Sequence, residues 1–251
     1  MLSNGIVGML NLPYQRFQIV FDAVVGASLA LPITKAVPTD GFFLLRKLYG
    51  TRTDPRIGYK LFDTDLNYSW SNMTYIDHDN IFGTLQYPNQ MRDPIIFSPN
   101  ADITIEALDF SGAPNTVQLV LDGYRLFGEV AKEKLTKERW FQYAITKDLI
   151  AGQLTTDAIH VNTDSDFLIK RLMARSTGTF QTRTGQSYYG SRTWSEVFVN
   201  NANEWGTAQL PNEFIDPNKA SRNSSINIEL KDTSAAPNRV QLVFEGVKRW
   251  A

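Results

Sequence analysis

Two stretches of the chain alternate apolar and polar residues with a period of two. Residues 103–106 read ITIE and residues 226–229 read INIE, and each is followed by an apolar run, VQLVL at 117–121 and VQLVF at 240–244. This alternation is typical of a half-buried β-strand, and a short continuous apolar run is typical of a core strand. The segments between them, DFSGAPN and DTSAAPN, are rich in turn-forming residues. The pattern predicts a strand, a loop and a strand at the end of each half.

These segments belong to an internal repeat. Residues 103–123 align without a gap on residues 226–246. Further matches at the same offset are Phe82 with Trp205, Gly83 with Gly206, Pro88 with Pro211, Asp93 with Asp216, and Arg16-Phe17 with Arg139-Trp140. After a slip of one residue, as a loop insertion would produce, Thr39, Asp40, Phe43 and Leu44 meet Thr163, Asp164, Phe167 and Leu168. Agreement over most of each half indicates two tandem copies of one module.

The sequence predicts an all-β fold of two tandem jelly-roll-like β-sandwich domains related by internal duplication. Two further apolar runs, FFLLRKL at 42–48 and FLIKRL at 167–172, are typical of core strands. Several short strands joined by turns over about 100 residues favour a two-sheet sandwich. The charged segment 129–139, which lacks Gly and Pro, predicts a short helix or an ordered strap. We expect an N-terminal arm at 1–14, a first module at 15–128, a linker at 129–137 and a second module at 138–251.

Charge and composition argue against several classes of function. The 251 residues include 25 Lys and Arg against 26 Asp and Glu, so the chain lacks the basic field that most nucleic-acid and membrane-surface binders carry. Without cysteine there is no disulfide, thiolate metal site or cysteine nucleophile. No stretch approaches the roughly 18 apolar residues of a membrane span, and residues 1–10 lack the pattern of a signal peptide. We expect neither nucleic acid nor a membrane as a partner.

The polar residues suggest no catalytic constellation. Three acidic pairs recur at strand ends or turns, where carboxylates cap backbone N–H groups or stay solvated. The pairs are Asp40 with Asp164, Glu106 with Glu229, and Asp109 with Asp232. The chain also lacks a nucleophile elbow, a phosphate-binding loop and a dinucleotide fingerprint. We expect no enzymatic activity and no cofactor.

The sequence has 2 histidines, and one of them could belong to a metal site. His78 lies between Asp77 and Asp79, a grouping that could bind a metal ion. Its aligned segment, NNAN at 200–203, keeps only polarity, which favours a solvated loop over a metal site. His160 lies at a strand position and is interpreted as a packed or edge residue.

A combined pattern runs through both halves: TD-x-x-FL, then FGT or WGT followed by x-Q-x-P, then DP, I-x-IE and APN-x-VQLV-x-x-G. In this pattern each half resembles the jelly-roll cement, or decoration, proteins of tailed bacteriophage capsids. The resemblance covers about residues 15–128 and 138–251. It implies a protein without enzymatic activity that lies on the outside of the icosahedral shell and bridges capsomers. Because this chain carries two modules covalently, the fused pair would replace a dimer of single modules, and a vertex, connector or tail position stays open.

The resemblance implies the major capsid protein and other virion proteins as partners, with self-association left open. It also implies a location on the outer capsid surface, after assembly in the host cytoplasm. The arm before the first module is apolar without a strand or helix period, and burying several such side chains on a partner could offset the cost of ordering them. The predicted partner-binding residues are Ile6, Val7, Met9, Leu10, Leu12, Pro13 and Tyr14.

Other functions fit a tandem sandwich as well. One is a double jelly-roll major capsid protein, and another is a connector or tail-associated structural protein. A third is a carbohydrate-binding tandem sandwich, since 5 Trp, 10 Tyr and 15 Phe could line a sugar groove. Many of these aromatic residues fall on aligned positions such as Phe82 and Trp205, which favours core packing instead.

Overall fold

The computed structural model describes residues 13–64, 68–128, 138–187 and 192–250. Within these ranges the regular structure is β apart from two four-residue helices, and neither helix is long enough to cross a membrane. The first module contains β1 (Tyr14–Val25), β2 (Ala30–Ala36), β3 (Phe42–Arg52), β4 (Ile57–Asp63), β5 (Tyr68–Ser69), β6 (Ile76–Asp77), α1 (His78–Ile81), β7 (Asn89–Phe97), β8 (Asp102–Asp109) and β9 (Asn115–Leu126). The second contains β10 (Glu138–Leu149), β11 (Leu154–His160), β12 (Asp166–Ser176), β13 (Phe180–Gln186), β14 (Arg192–Thr193), β15 (Val199–Asn200), α2 (Asn201–Glu204), β16 (Asn212–Ala220), β17 (Ser225–Asp232) and β18 (Asn238–Arg249).

Each module is a sandwich of two antiparallel sheets. In the first module one sheet has the order β1-β9-β3-β7, and the other has the order β2-β8-β4 with β5 and β6 both paired to β4. The chain passes back and forth between the sheets, and the last strand returns beside the first, which is the jelly-roll arrangement. The second module repeats it as β10-β18-β12-β16 and β11-β17-β13, with β14 and β15 on β13. The predicted fold of two tandem jelly rolls is confirmed.

The period-two pattern of the sequence is the pattern of burial. Along β8 the residues alternate between half-buried and buried, with Ile103 and Ile105 fully enclosed between the sheets. In β17 the matching Ile226 and Ile228 are likewise buried between the sheets. Each fully buried side chain of this size contributes about 1.5–3 kcal/mol, so the two inner faces supply the main stabilising term of each sandwich.

Two glycines fix how the repeats correspond. A Cβ atom on Gly123 would lie 2.0 Å from the carbonyl oxygen of Leu44, and one on Gly246 would lie 1.9 Å from that of Leu168. No side chain fits where the neighbouring strand comes so close. Opposite Gly123 on β1 is Phe17.

The residue opposite Gly246 is Phe141. Phe17 is therefore equivalent to Phe141, and the predicted match of Arg16-Phe17 with Arg139-Trp140 is wrong by one residue. The register slip extends over the first three strands of each module. It ends in the turn after the third, where the first copy has residues 53–56 and the second only 177–179.

The module boundaries differ slightly from the predicted ones. Tyr14 is the first residue of β1 and pairs with Leu126, so the first sandwich starts one residue earlier than 15. Strand β10 starts at Glu138. The last two residues of the predicted helix or strap at 129–139 are therefore in a strand, and residues 129–137 lie outside the described residues.

Candidate functional site

The two modules meet through unlike surfaces, and we call their contact the seam. The second module contributes the outward side of β10, β12 and β18. The first contributes an edge formed by β5, β6, α1, β7 and the loops beside them. Five apolar side chains of the second module belong to the same buried cluster as the first module's core, namely Trp140, Ala144, Met173, Ala208 and Val243. The core of the first module therefore continues across the seam.

The side-chain amide of Gln241 lies at the centre of the seam, fully buried. Its oxygen accepts hydrogen bonds from the backbone N–H of Asp77 (2.7 Å) and the amide of Asn80 (3.1 Å). Its nitrogen donates to the backbone carbonyl of Tyr75 and to the hydroxyl of Thr146, both at 2.9 Å. Both amide atoms are thus satisfied, three of the four bonds cross between modules, and the fit requires one fixed orientation of the modules.

Two ion pairs flank this amide. Arg239 donates to both carboxylate oxygens of Asp77, at 2.7 and 3.1 Å. At the other side of the seam Arg139 lies 3.2 Å from the carboxylate of Asp63, and both side chains are buried. The indole N–H of Trp70 donates to the same carboxylate at 2.8 Å. Removing one member of a buried pair like this costs about 3–5 kcal/mol, because the other charge is left without a partner.

A buried carboxylate of the second module lies beside the seam. Glu245 is completely enclosed, and this burial raises the pKa of its carboxyl, while the charge of Arg171 at 3.2 Å opposes the rise. The amide of Gln142 donates to Glu245 (3.1 Å) and also to the backbone carbonyl of Asn80 (3.3 Å) across the seam. Arg171 also reaches the amide oxygen of Asn89 on β7 at 3.3 Å. Gln142 and Arg171 therefore bind Glu245 within their own module and also contact the first module.

Backbone hydrogen bonds also cross the seam. The N–H of Gln142 on β10 donates to the carbonyl of Trp70 (2.9 Å), and the N–H of Asn72 donates back to Gln142 (3.3 Å). The Asn72 side chain pairs with both backbone groups of Ala144. The segment after β5 therefore forms an isolated parallel bridge, Ser71 with Gln142, at the edge strand β10 of the second module.

The three residues considered as a metal site point in different directions. Asp77 forms the ion pair with Arg239, and Asp79 lies 2.7 Å from Arg52. The His78 ring is buried, with Nδ1 3.2 Å from the hydroxyl of Tyr59. The interpretation of His78 as part of a solvated loop is wrong, because α1 turns its ring into the sandwich. Among the described residues no group of three or more His, Cys, Asp or Glu side chains converges.

The buried imidazole is held neutral. Burial lowers the pKa of His78 to about 3, and the nearby positive charges of Arg52 and Arg175 contribute to this lowering. His160 differs, since it lies exposed at the end of the edge strand β11, with Nδ1 2.7 Å from the hydroxyl of Ser225. Its interpretation as an edge residue is confirmed.

The recurring acidic residues have structural partners. Asp109 accepts hydrogen bonds from the backbone N–H groups of Ser111 (2.9 Å) and Gly112 (3.3 Å). Its counterpart Asp232 accepts from the N–H groups of Gly152 (2.8 Å) and Ser234 (3.1 Å). The capping role predicted for this pair is confirmed.

The other two acidic pairs make ion pairs. Glu229 binds Arg183 at 2.6 Å. Glu106 contacts Lys60 at 3.5 Å and accepts a short hydrogen bond from Tyr75. Asp40 pairs with Arg125, and Asp164 is exposed with Lys248 3.9 Å away.

One partly buried carboxyl has no counterpart in the sequence prediction. Burial raises the pKa of Glu204, whose oxygens accept hydrogen bonds from the hydroxyls of Thr182 and Thr184. The aligned residue of the first module is Ile81, so the repeat gave no signal for it. A glutamine stands in the VQLV run of both copies, as Gln118 and Gln241. A polar residue repeated inside a core strand is a signal in the sequence that could have pointed to Gln241.

The predicted partner-binding residues are mostly outside the described residues. These are Ile6, Val7, Met9, Leu10 and Leu12. Pro13 is exposed, and its carbonyl accepts a hydrogen bond from the N–H of Phe127 at 2.9 Å. Tyr14 is half exposed at the start of β1, and its ring packs edge-on against Tyr124 at 5.4 Å. The role of these residues in partner binding stays a prediction.

Comparison with known proteins finds likeness in fold. No protein-family model and no curated protein matches the chain. Among solved structures, it is similar to the major capsid protein P2 of bacteriophage PM2, with 10% identity and a TM-score of 0.49 over 94% of this chain and 98% of that one. It is also similar to VP54 of PBCV-1, which has been fitted into a reconstruction of the virophage Sputnik, with 8% identity and a TM-score of 0.44 over 96% and 95% of the two chains. At these identities no function is transferred.

We predict that replacing Gln241 destabilises the protein far more than replacing its counterpart Gln118, which is exposed on β9. Gln241→Leu leaves the buried N–H of Asp77 and the amide of Asn80 without an acceptor, at a cost of about 2–4 kcal/mol. Gln118→Leu should change the free energy of unfolding by less than about 0.5 kcal/mol. Urea unfolding of both variants in dilute solution measures the difference. Equal losses would contradict the role of the buried amide.

We also predict a pH dependence that originates from His78. The unfolded chain binds a proton at His78 below about pH 6.5, whereas the folded chain does so only near pH 3. Stability is therefore lost as the pH falls from 6.5, by about 1.4 kcal/mol per unit, or about 2 kcal/mol at pH 5. His78→Asn should remove this contribution, and His160→Asn is the control for loss of an imidazole. The unfolding free energies of wild type and both variants at pH 7.5 and 5.0 test this contribution. If His78→Asn loses as much stability between these two pH values as the wild type does, the contribution of His78 is ruled out.

Proposed function

We propose that the chain is a structural protein of a bacteriophage particle, a cement or decoration protein that bridges and stabilises capsomers on the outer capsid surface. The observation that supports this best is the seam, which joins two jelly rolls into one body of fixed shape. In this role the chain carries out no reaction, and it works by binding the major capsid protein and other virion proteins.

The seam matters for bridging because a clamp must hold its two contact surfaces at a fixed separation. If the modules were joined only by a flexible linker, the second contact would gain only the effective concentration that the linker allows. With the buried contacts of Gln241 and Asp63 holding the modules, the orientation is set before binding. The entropy lost in fixing the orientation of the modules is then part of the free energy of folding, and it does not weaken attachment.

The predicted arm would add a third contact. Its apolar side chains precede Tyr14, which is half exposed at the start of β1. A segment leaving the sandwich at this point could extend from the edge strand β1 onto a neighbouring subunit. We propose that burial of these side chains on the shell strengthens attachment without taking part in the fold of either module.

A second candidate is a double jelly-roll major capsid protein. One observation favours it: the modules contact each other through unlike surfaces, so each module keeps one surface of this kind available for a further contact. A shell-forming subunit needs such surfaces, whereas a clamp needs only its contacts to the shell.

The carbohydrate-binding alternative would need a row of exposed aromatic side chains. The exposed aromatic residues in the described ranges are Tyr14, Tyr87 and Phe110, on three separate segments. Phe110 packs against Tyr75 and lies near Arg239, so it belongs to the seam region. This arrangement supports a structural role over sugar binding.

Particles produced with and without the chain distinguish the candidates. For a cement protein we expect on the order of hundreds of copies per particle, and shells that still form without it but break at lower temperature. Adding the purified chain should restore their stability, and a variant lacking residues 1–13 should bind with lower occupancy at the same concentration. Absence of any shell without the chain would instead support the major capsid protein. A dozen copies or fewer would support a connector or tail position, and absence from particles would refute a virion role.

A further inference from the structure

Each surface that forms the seam has a counterpart on the other module. Arg92 of the first module reaches the border of one counterpart, where it donates to the backbone carbonyl of Phe214 on β16 at 3.0 Å. No other hydrogen bond or ion pair between described residues joins these counterparts to the other module. The counterpart of the docked face is the outward side of β1, β3 and β9, which we call the free face. The counterpart of the docked edge is formed by β14, β15, α2 and β16, which we call the free edge. Because the modules share one fold and a common register, the seam shows which residues these two surfaces would bring together.

The first correspondence is an ion pair. In the seam Lys170, the extra residue of a β-bulge in β12, lies 2.6 Å from Asp93 on β7. The equivalent of Lys170 is Arg46, the extra residue of the matching bulge in β3, and the equivalent of Asp93 is Asp216 on β16. Bulges re-aim a side chain, and both copies place a cation there. Neither Arg46 nor Asp216 makes an ion pair with another described residue, and Asp216 is exposed.

The second correspondence is the amide pair. The contact of Gln241 with the Asn80 side chain and the Asp77 N–H has an equivalent in Gln118 on the free face and Asn203 on the free edge. The backbone N–H of Asn200 takes the place of that of Asp77. The donors and acceptors needed to repeat the central hydrogen bonds of the seam are thus all kept.

The third correspondence is apolar. In the seam Ala208 is buried, and its N–H donates to the carbonyl of Asp79 at 2.9 Å. Its equivalent beside the free face is Leu85, 73% exposed, and the free edge carries Ile215, 93% exposed. Each surface thus exposes a large apolar side chain where the seam has a contact.

Two further ion pairs of the seam have neutral equivalents. The pair of Asp77 with Arg239 is replaced by Asn200 and Thr116. The pair of Asp63 with Arg139 is replaced by two glutamines, Gln186 and Gln15. These exchanges introduce no like-charge contact, so the second contact is weaker than the seam but not repulsive.

We propose that the free edge of one copy docks onto the free face of a second copy in the geometry of the seam, with Arg46 facing Asp216 of the neighbouring copy. Such a contact is heterologous, so it continues from copy to copy until a ring closes. The proposal concerns the purified chain and does not depend on its role in a particle.

Charge reversal tests the contact. The wild-type chain should self-associate with rising concentration in sedimentation velocity at low salt. Arg46→Glu and Asp216→Arg should each weaken association by at least about tenfold, since each opposes two like charges. The double variant carries the pair in reversed order and should recover most of the loss. An equimolar mixture of the two single variants should also associate, because the carboxylate introduced in one variant then meets the guanidinium introduced in the other.

Lys35→Glu is the matched control, since it reverses an exposed cation on β2, away from both surfaces. It should associate like the wild type, and circular dichroism should show all variants folded. A wild type that stays monomeric at every concentration overturns the proposal. A symmetric dimer that Asp216→Arg leaves unchanged would also overturn it. The same holds for a double variant that associates no better than the single variants.

Discussion

Polar groups that are taken out of water at the seam constrain the whole molecule. A buried amide, a buried carboxylate or a buried guanidinium is tolerated only if its partners are in place, and here the partners belong to the other module. Gln241 needs the backbone of the first module, and Asp63 needs Arg139 of the second. The two sandwiches are therefore not independent domains joined by a linker, although each has its own complete jelly-roll topology.

Duplication explains why the seam is asymmetric. When two identical modules meet through unlike surfaces, one module supplies a sheet face and the other an edge. After the duplication, different residues are therefore under selection in the two copies. The first module keeps the acidic residues at its edge, such as Asp77, and the second keeps the matching Arg239. At the equivalent positions, Asn200 and Thr116, the charges are absent. One face can thus become a permanent internal contact while its counterpart stays available for a reversible one.

Much of the fold could be predicted from the sequence, because strand period and turn composition are local properties. The ITIE and INIE strands, the loops capped by Asp109 and Asp232, and the duplication itself all follow from them. The match around Arg16 failed because the register is set by the close approach of strands at Gly123, a contact between distant segments. The same limit applies to His78. The short polar segment around His78 looks like a solvated loop, because nothing in the local sequence shows that α1 turns the His78 ring toward Tyr59.

The candidate site could not be predicted in this way, since the seam is made between segments far apart in the chain. The sequence contained a hint in the repeated glutamine, but which copy buries it depends on how the modules pack. Calorimetry of the full chain tests that packing most directly. If the seam makes the modules one cooperative unit, dilute protein should unfold in a single transition whose calorimetric and van't Hoff enthalpies agree. Two separable transitions, or a calorimetric enthalpy about twice the van't Hoff value, would contradict the account.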